Sequence, residues 1–387
     1  MAKERTMKNV RTVVTALAAT ALLVAGSGLF ACKKKEPETI KIAIVTPLTG
    51  DGAVYGVPQK NAAEIAVNEI NENGGLLGRK VELLPYDDKA DPKEAVTIAN
   101  KVVTLPGITG VVGHPNSGNA IPASKIYKES GLPYVVTSAT NPEITRQGFE
   151  NVFRFAPTDD MQGISAARFI SETLGVDNVA VIHDNAAYGK GIADNVKQES
   201  EKLGLKVVLY DALNPGQKEY RAIIEKLKGV TPAVVFYGGM APEGAKLVKQ
   251  AKELGLETTF VMGDGCFDEK LPELAGTDCK NVCVSFLAPP WGEVGSAKGF
   301  VEEYKRDFGD VPAFAPYGYD AVKVLAAGIS KAESQDHEAI IEALRAPGFS
   351  VEGVTGKITF DDNGQTTDRS FYFYTFGDDG RFKLYGR

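Results

Sequence analysis

Histidine, cysteine and tryptophan are scarce, with 3 His, 4 Cys and 1 Trp in 387 residues. His114 and His183 have no second ligand at metal-site spacing and read as structural, so neither a metal nor a cofactor is expected. After residue 32 the chain lacks G-x-S-x-G, and none of its histidines sits in a triad setting, which argues against hydrolytic chemistry. The Gly-rich segment TPLTGDGAVYG at 46–56 is neither GxGxxG nor GxxxxGK[ST], so a nucleotide phosphate is not implied. Asp87 and Asp88 are adjacent acids on which nothing else converges, and they read as a turn. The chain is not expected to be an enzyme.

Long apolar runs are also missing beyond the start, so no later stretch can span a bilayer. The start itself is an export signal. Lys3, Arg5, Lys8 and Arg11 precede an apolar segment at 13–24, followed by small residues at 25–28, with Met7 an equally complete start. Residues 1–31 are then a signal peptide, and 32–38, Cys-Lys-Lys-Lys-Glu-Pro-Glu, a solvated tether. Without residues 1–31 the chain keeps 356 residues, enough for two domains, and 39 Lys+Arg stand against 49 Asp+Glu. An acidic, unclustered balance excludes nucleic acid as a partner class.

Beyond Cys32 the cysteines are Cys266, Cys279 and Cys283. Three cysteines with no nearby histidine make a poor zinc set, so one local disulfide, Cys266 to Cys279 or to Cys283, is the expectation.

Apolar runs at 40–45, 80–86, 108–113 and 134–136 alternate with helical periodicity from about 58, at 92–103 and at 121–130. Asp91-Pro92 is an N-cap followed by Pro at N1, and Asn73-Gly74-Gly75 is a helix stop. Residues 153–158 read as a crossing segment, after which the alternation restarts with strands at 179–183, 207–210, 233–237, 260–262 and 282–286. Helices at 296–308, 316–330 and 336–345 follow, then a β-rich tail with turns at 362–364 and 379–380. The pattern predicts an α/β fold of two doubly wound parallel-sheet lobes with the ligand crevice between them.

Residues 111–142, VVGHPNSGNAIPASKIYKESGLPYVVTSATNP, hold two strand–loop–helix steps in tandem. Both loops leave the carboxyl ends of apolar strands and offer hydroxyls and free N–H groups near a helix start, a setting that favours a carboxylate. Taken singly, such loops are equally well explained as caps and turns.

The segments IKIAIVTPLTGDGAVYG, AVNEINENGGLLGRKVELLPYDDKADPKEAVTIANKVV and VVGHPNSGNAIPAS resemble the leucine/isoleucine/valine-type binding proteins, the periplasmic receptors of amino-acid ABC importers. So do TSATNPEIT, VIHDNAAYGKG, VVFYGGMAPEGAKLVKQA and PYGYDAV. Leu29-Phe30-Ala31-Cys32 resembles a lipobox, which implies a lipid on Cys32. The resemblance implies a type I periplasmic binding protein, a Venus-flytrap with three hinge crossovers near Phe155, Phe286 and Gly364. Its lobes would be 39–157 plus 288–362 and 158–287 plus 363–387. Ser117 and Thr140 would bind a ligand α-carboxylate, and the carbonyl of Ser138, next to Ala139, would accept from the α-ammonium. Asp264 would pair with that ammonium, and Tyr188 would cover the ligand. Tyr55, Asn116, Met240 and Tyr317 would line the side-chain pocket, with Asn116 where the best-known relatives have Cys and Met240 replacing an aromatic residue. Trp291 reads as hinge-side packing. The implied partners are an amino-acid ligand, an ABC permease in the inner membrane and, through the lipid anchor, the membrane itself. The protein would be a monomer, periplasmic or at the cell surface. A sensory lipoprotein, or a receptor for an amide, urea or aromatic acid, is the alternative on the same fold.

Overall fold

The computed structural model describes residues 39–276, 279–367 and 370–386. The signal segment 1–31 and the tether 32–38, with Cys32, lie outside the described residues. The chain begins with β1 (Thr39–Thr46), α1 (Ala53–Glu72), β2 (Lys80–Asp87), α2 (Pro92–Val102), β3 (Ile108–Gly113), α3 (Ser117–Glu129), β4 (Tyr134–Val136), α4 (Glu143–Arg146) and β5 (Val152–Arg154). The five strands form one parallel sheet in the order β2-β1-β3-β4-β5. Side chains alternate across it. Ile40, Ile42 and Ile44 enter the core shared with Ala62 and Ile65 of α1, whereas Ala43 and Val45 pack with Ala99 of α2 and Ala120 of α3.

The local signals act as read. The Asp91 carboxylate accepts from the Lys93 and Glu94 N–H groups at 2.7 and 3.1 Å, which fixes the start of α2. α1 ends where Gly75, at φ +77°, returns its N–H to the Ile70 carbonyl at 2.8 Å. α1 starts at Ala53, earlier than the expected 58, because Pro58 is tolerated inside it and Tyr55 is buried from its first turn.

A second unit follows with α5 (Asp159–Arg168), which runs on as a wider turn over Phe169–Thr173, then β6 (Asn178–His183), α6 (Ala187–Lys202) and β7 (Lys206–Ala212). It continues through α7 (Arg221–Val230), β8 (Val234–Gly238), α8 (Ala241–Glu253), β9 (Thr259–Met262), α9 (Leu271–Ala275) and β10 (Val282–Phe286). Next come α10 (Lys298–Phe308), α11 (Ala315–Ala332), α12 (His337–Arg345) and the hairpin β11 (Val351–Gly353) with β12 (Gly356–Ile358). Tyr317, Val322 and Leu325 of α11 belong to the core built on β1, so this segment returns to the first lobe. β13 (Tyr372–Phe376) and β14 (Phe382–Leu384) then add to the second sheet, ordered β14-β13-β10-β9-β8-β6-β7. The chain thus crosses between the lobes three times.

Two crossings run side by side. Residues 152–154 are an edge strand, and residues 364–366 pair beside it: the Arg154 N–H donates to Gly364 O, and Thr366 N–H to Arg154 O, each at 2.7 Å.

No disulfide joins Cys266, Cys279 and Cys283, all buried, which corrects the expected bridge. Proximity in sequence misleads here. β9 and β10 are parallel, Cys266 follows the carboxyl end of β9, and Cys279 precedes the amino end of β10, so the sheet's length separates them. Cys283 packs in a different core from the other two, and the Cys266 thiol donates to Gly239 O at 3.4 Å. Among the described residues no helix is long and apolar enough to cross a membrane.

Candidate functional site

A cavity of about 510 Å³ lies where the carboxyl ends of the two sheets face each other. Of the residues singled out in the sequence, Tyr55, Asn116, Ser117, Ser138, Thr140, Tyr188, Met240 and Asp264 line it.

The first lobe supplies an anion pole. β3 ends at Gly113, at φ +130°, where an added Cβ would stand 2.1 Å from Val45 O, so only glycine lets the strand end lie against β1. The chain then turns through Pro115 into α3. The Asn116 carbonyl accepts from Asn119 and Ala120 at 3.0 and 2.9 Å, which leaves the Ser117 and Gly118 N–H groups without a helical partner. The Ser117 hydroxyl accepts from Asn141 N–H at 3.2 Å and so ties this loop to the loop after β4. Ser138 Oγ accepts from the buried Gln59 amide at 2.8 Å.

The second lobe supplies an acid pole. Asp264 follows β9 in a single 3-10 turn and is buried, and burial pushes its carboxyl up to about 6, against the opposing hydrogen bond from Tyr188. That hydroxyl, from the first turn of α6, donates to Asp264 Oδ1 at 2.7 Å. A helix N-terminus with hydroxyls at one end and a buried carboxylate at the other suits a zwitterion.

Two singled-out residues sit elsewhere. The Ala139 side chain packs in the core under β4, and its carbonyl accepts from Arg154 at 3.3 Å. Tyr317 stacks on Phe155 with centroids 5.7 Å apart, and Phe314 takes the lining position instead, edge-on to Tyr55 at 5.8 Å. Trp291 packs against Phe286 and Tyr317, as read.

The sequence reading missed three residues. Asp159, at the start of α5, is fully buried. Burial raises its carboxyl well above the usual range, against a hydrogen bond from Thr140, and the charge of Asp264 acts with burial. An acid in a helix's first turn is so ordinary that it carried no signal. Asn119 lines the cavity with both side-chain polar atoms buried and unpartnered, as is Asn116 Oδ1. Arg154 lies behind the Thr140 loop, buried, and burial lowers its guanidinium to about 10, still cationic at neutral pH. The pair at 87–88 is structural. Asp87 accepts from the Leu48 and Lys89 N–H groups, and Asp88 holds His114 Nδ1 at 2.7 Å in a fully buried pair.

A family model described as periplasmic binding protein matches residues 39–381. The chain belongs to this family. It is 38% identical over 360 residues to a leucine-, isoleucine-, valine-, threonine- and alanine-binding protein of Pseudomonas aeruginosa, covering 93% of this chain and 95% of the relative. It is 35% identical over 375 residues to Leu/Ile/Val-binding protein homolog 1 of Brucella abortus, covering 96% and 98%. The leucine-binding protein of Thermotoga maritima superposes with a TM-score of 0.83 at 28% identity, covering 89% of this chain and 97% of that one. A branched-chain amino-acid substrate-binding protein from Streptococcus pneumoniae in complex with isoleucine gives 0.82 at 28%, covering 89% and 98%. This periplasmic binding protein is therefore of the leucine/isoleucine/valine type, a two-lobe Venus-flytrap with hinge-like crossovers, and binds a solute rather than catalysing a reaction. The family implies a small-molecule ligand, an ABC permease partner and a place outside the cytoplasm.

Proposed function

We propose that the cleft binds an L-amino acid of branched-chain type and presents it to the permease of an ABC importer. The single observation that carries this reading is one cavity with opposite poles. Ser117 and Thr140 line it from the first lobe, Asp264 from the second, and Tyr55, Phe314 and Met240 add ring and thioether surface. Ser117 and Thr140 hold the α-carboxylate. The Ser138 carbonyl and Asp264 take the α-ammonium, with the Asp159 carboxyl behind them ionising once the ammonium is bound, and Tyr188 closes over the ligand. Asn116 and Asn119 put amides into the side-chain wall.

The lobes are already drawn together. Tyr55 Oη, in the first lobe, donates to Gly265 O at 2.9 Å and accepts Ala241 N–H at 3.4 Å, and Asn141 Nδ2 donates to Ala187 O at 2.9 Å. Hinge closure of this kind traps a small ligand. Cys32 carries the lipid that holds the protein at the membrane, in the periplasm or at the cell surface.

A thermal-shift screen of refolded, ligand-stripped protein against the L-amino acids, amides and organic acids tests the reading. A ligand at about a hundred times its dissociation constant adds about 2.7 kcal/mol. Shifts with Leu, Ile or Val support it. The near-isosteric pairs Val with Thr and Leu with Asn report what the two wall amides favour. Shifts only with compounds lacking an α-ammonium overturn the ligand class and leave the fold intact.

A further inference from the structure

Arg154 closes β5 with its side chain fully buried, yet every hydrogen bond its guanidinium makes goes to a neutral oxygen. Nη1 donates to the carbonyls of Asn141 at 2.5 Å and Ala139 at 3.3 Å. Nη2 donates to Thr145 Oγ1 at 3.2 Å, and Nε to Gln365 Oε1 at 2.7 Å. The carbonyl between them, that of Thr140, accepts from Asp159 N–H at 3.0 Å. Three consecutive carbonyls, 139 to 141, are thus all pinned by residues 154 and 159. None is left to turn toward an anion lodged against Thr140.

The same arginine is bound into the hinge. Its backbone pairs on both sides with 364–366, and Gln365 Nε2 reaches on to Ala156 O at 2.9 Å. The first and third crossing strands and the loop after β4 therefore meet on one side chain. No carboxylate hydrogen-bonds this buried cation; the nearby charges of Asp159 and Asp160 offset part of the cost of its burial, and its donors are spent on the loop carbonyls.

We propose that Arg154 is a positioning residue that shapes loop 139–141 for the ligand carboxylate and fastens that loop to two of the three hinge strands. This rests on the reading that Thr140 faces a carboxylate. The planar fork spans two carbonyls that a lysine ammonium, one point charge on a flexible stem, cannot hold together.

The test compares Arg154→Lys with wild type in calorimetry against L-leucine and L-leucinamide, which lacks the carboxylate charge. A positioning role predicts a loss of about tenfold or more for leucine, with leucinamide changed less than about threefold. Parallel loss of both, or unchanged leucine affinity, overturns it. Should Arg154→Lys fail to fold, Thr145→Val combined with Gln365→Leu removes two side-chain acceptors and keeps the arginine. It predicts the same selective loss at roughly three- to tenfold. Hydrogen exchange of the ligand-free protein separates this proposal from the ligand assignment. Amides 139–141 exchange about tenfold faster in the variant if Arg154 holds the loop, and unchanged exchange overturns the role. If wild type binds neither probe, the ligand assignment has failed and the exchange result alone decides Arg154.

Discussion

The Tyr188 hydroxyl stands between Asp264 and Gly265, donating to the carboxylate at 2.7 Å and accepting the Gly265 N–H at 2.9 Å. Its hydrogen bond opposes the burial that raises this carboxyl. Because the Asp264 carboxyl is raised to about 6 from 3.8, the folded, ligand-free protein carries the extra proton between those values. Its stability therefore falls as pH rises from about 4 to about 6, and this group adds no further slope above. Asp184 and Asp320, also raised by burial to about 6, act in the same direction.

Ligand binding has the opposite sign. An ammonium needs Asp264 ionised, so below pH 6 the apparent dissociation constant should rise about tenfold per unit. Calorimetry from pH 5 to 8 checks this, with the curve flat above 7. Asp264→Asn should bind about tenfold or more weakly and lose most of that slope. A flat wild-type curve would mean that Asp264 faces no cation.

Tyr55→Phe keeps the ring against Phe314 and removes only the hydroxyl that joins the lobes. In the closed form Gly265 O and Ala241 N–H are then left unsatisfied, at about 1–3 kcal/mol. The expected result is roughly tenfold weaker binding, carried by faster release. Stopped-flow dissociation should show it, and X-ray scattering should show a smaller decrease in radius of gyration at matched occupancy. Unchanged release would make Tyr55 a wall residue and no more.

The fold was legible because its signals are local. Asp91-Pro92, Asn73-Gly74-Gly75 and the apolar runs each decide their own few residues, and the second lobe repeats the scheme. The two poles were legible through resemblance, since loops such as 116–118 and 138–140 look like ordinary turns by themselves. What escaped depends on distant packing. Asp159 looks like any first-turn acid until its burial is known, and Arg154 like any strand end until residues 364–366 arrive beside it. Tyr317 and Phe314 lie three residues apart, and only the packing of Phe155 and Trp291 decides which of them faces the cavity. The cysteines misled for the same reason, as neighbours in sequence lie at opposite ends of parallel strands.

With no bridge among Cys266, Cys279 and Cys283, the thermal midpoint of protein lacking residues 1–38 should not change with dithiothreitol. Burial raises the Cys283 thiol to about 12 and the Cys266 thiol well above its usual range, so little thiolate exists at pH 8. Ellman titration should find three thiols promptly in guanidinium and react only slowly with native protein. A midpoint that drops with reductant would restore a disulfide.

Asp159→Asn should move stability and binding in opposite directions. In the ligand-free protein burial holds this carboxyl well above the usual range, against a hydrogen bond from Thr140, whereas the unfolded chain ionises it near 3.8. Folding at pH 7 therefore takes up a proton at a cost that grows with pH, and asparagine abolishes that cost. The ligand-free variant should melt higher than wild type at pH 7, by roughly 2 °C or more, with the gain shrinking toward pH 4. Its amino-acid affinity should fall about tenfold, because a bound ammonium favours the ionised form of the Asp159 carboxyl, which asparagine cannot supply. Paired melting curves and calorimetry at pH 4.5 and 7.5 check both arms. Lower stability with unchanged affinity would make Asp159 a packing residue, whereas the opposed shifts mark a carboxyl kept at the expense of stability for the sake of its ligand.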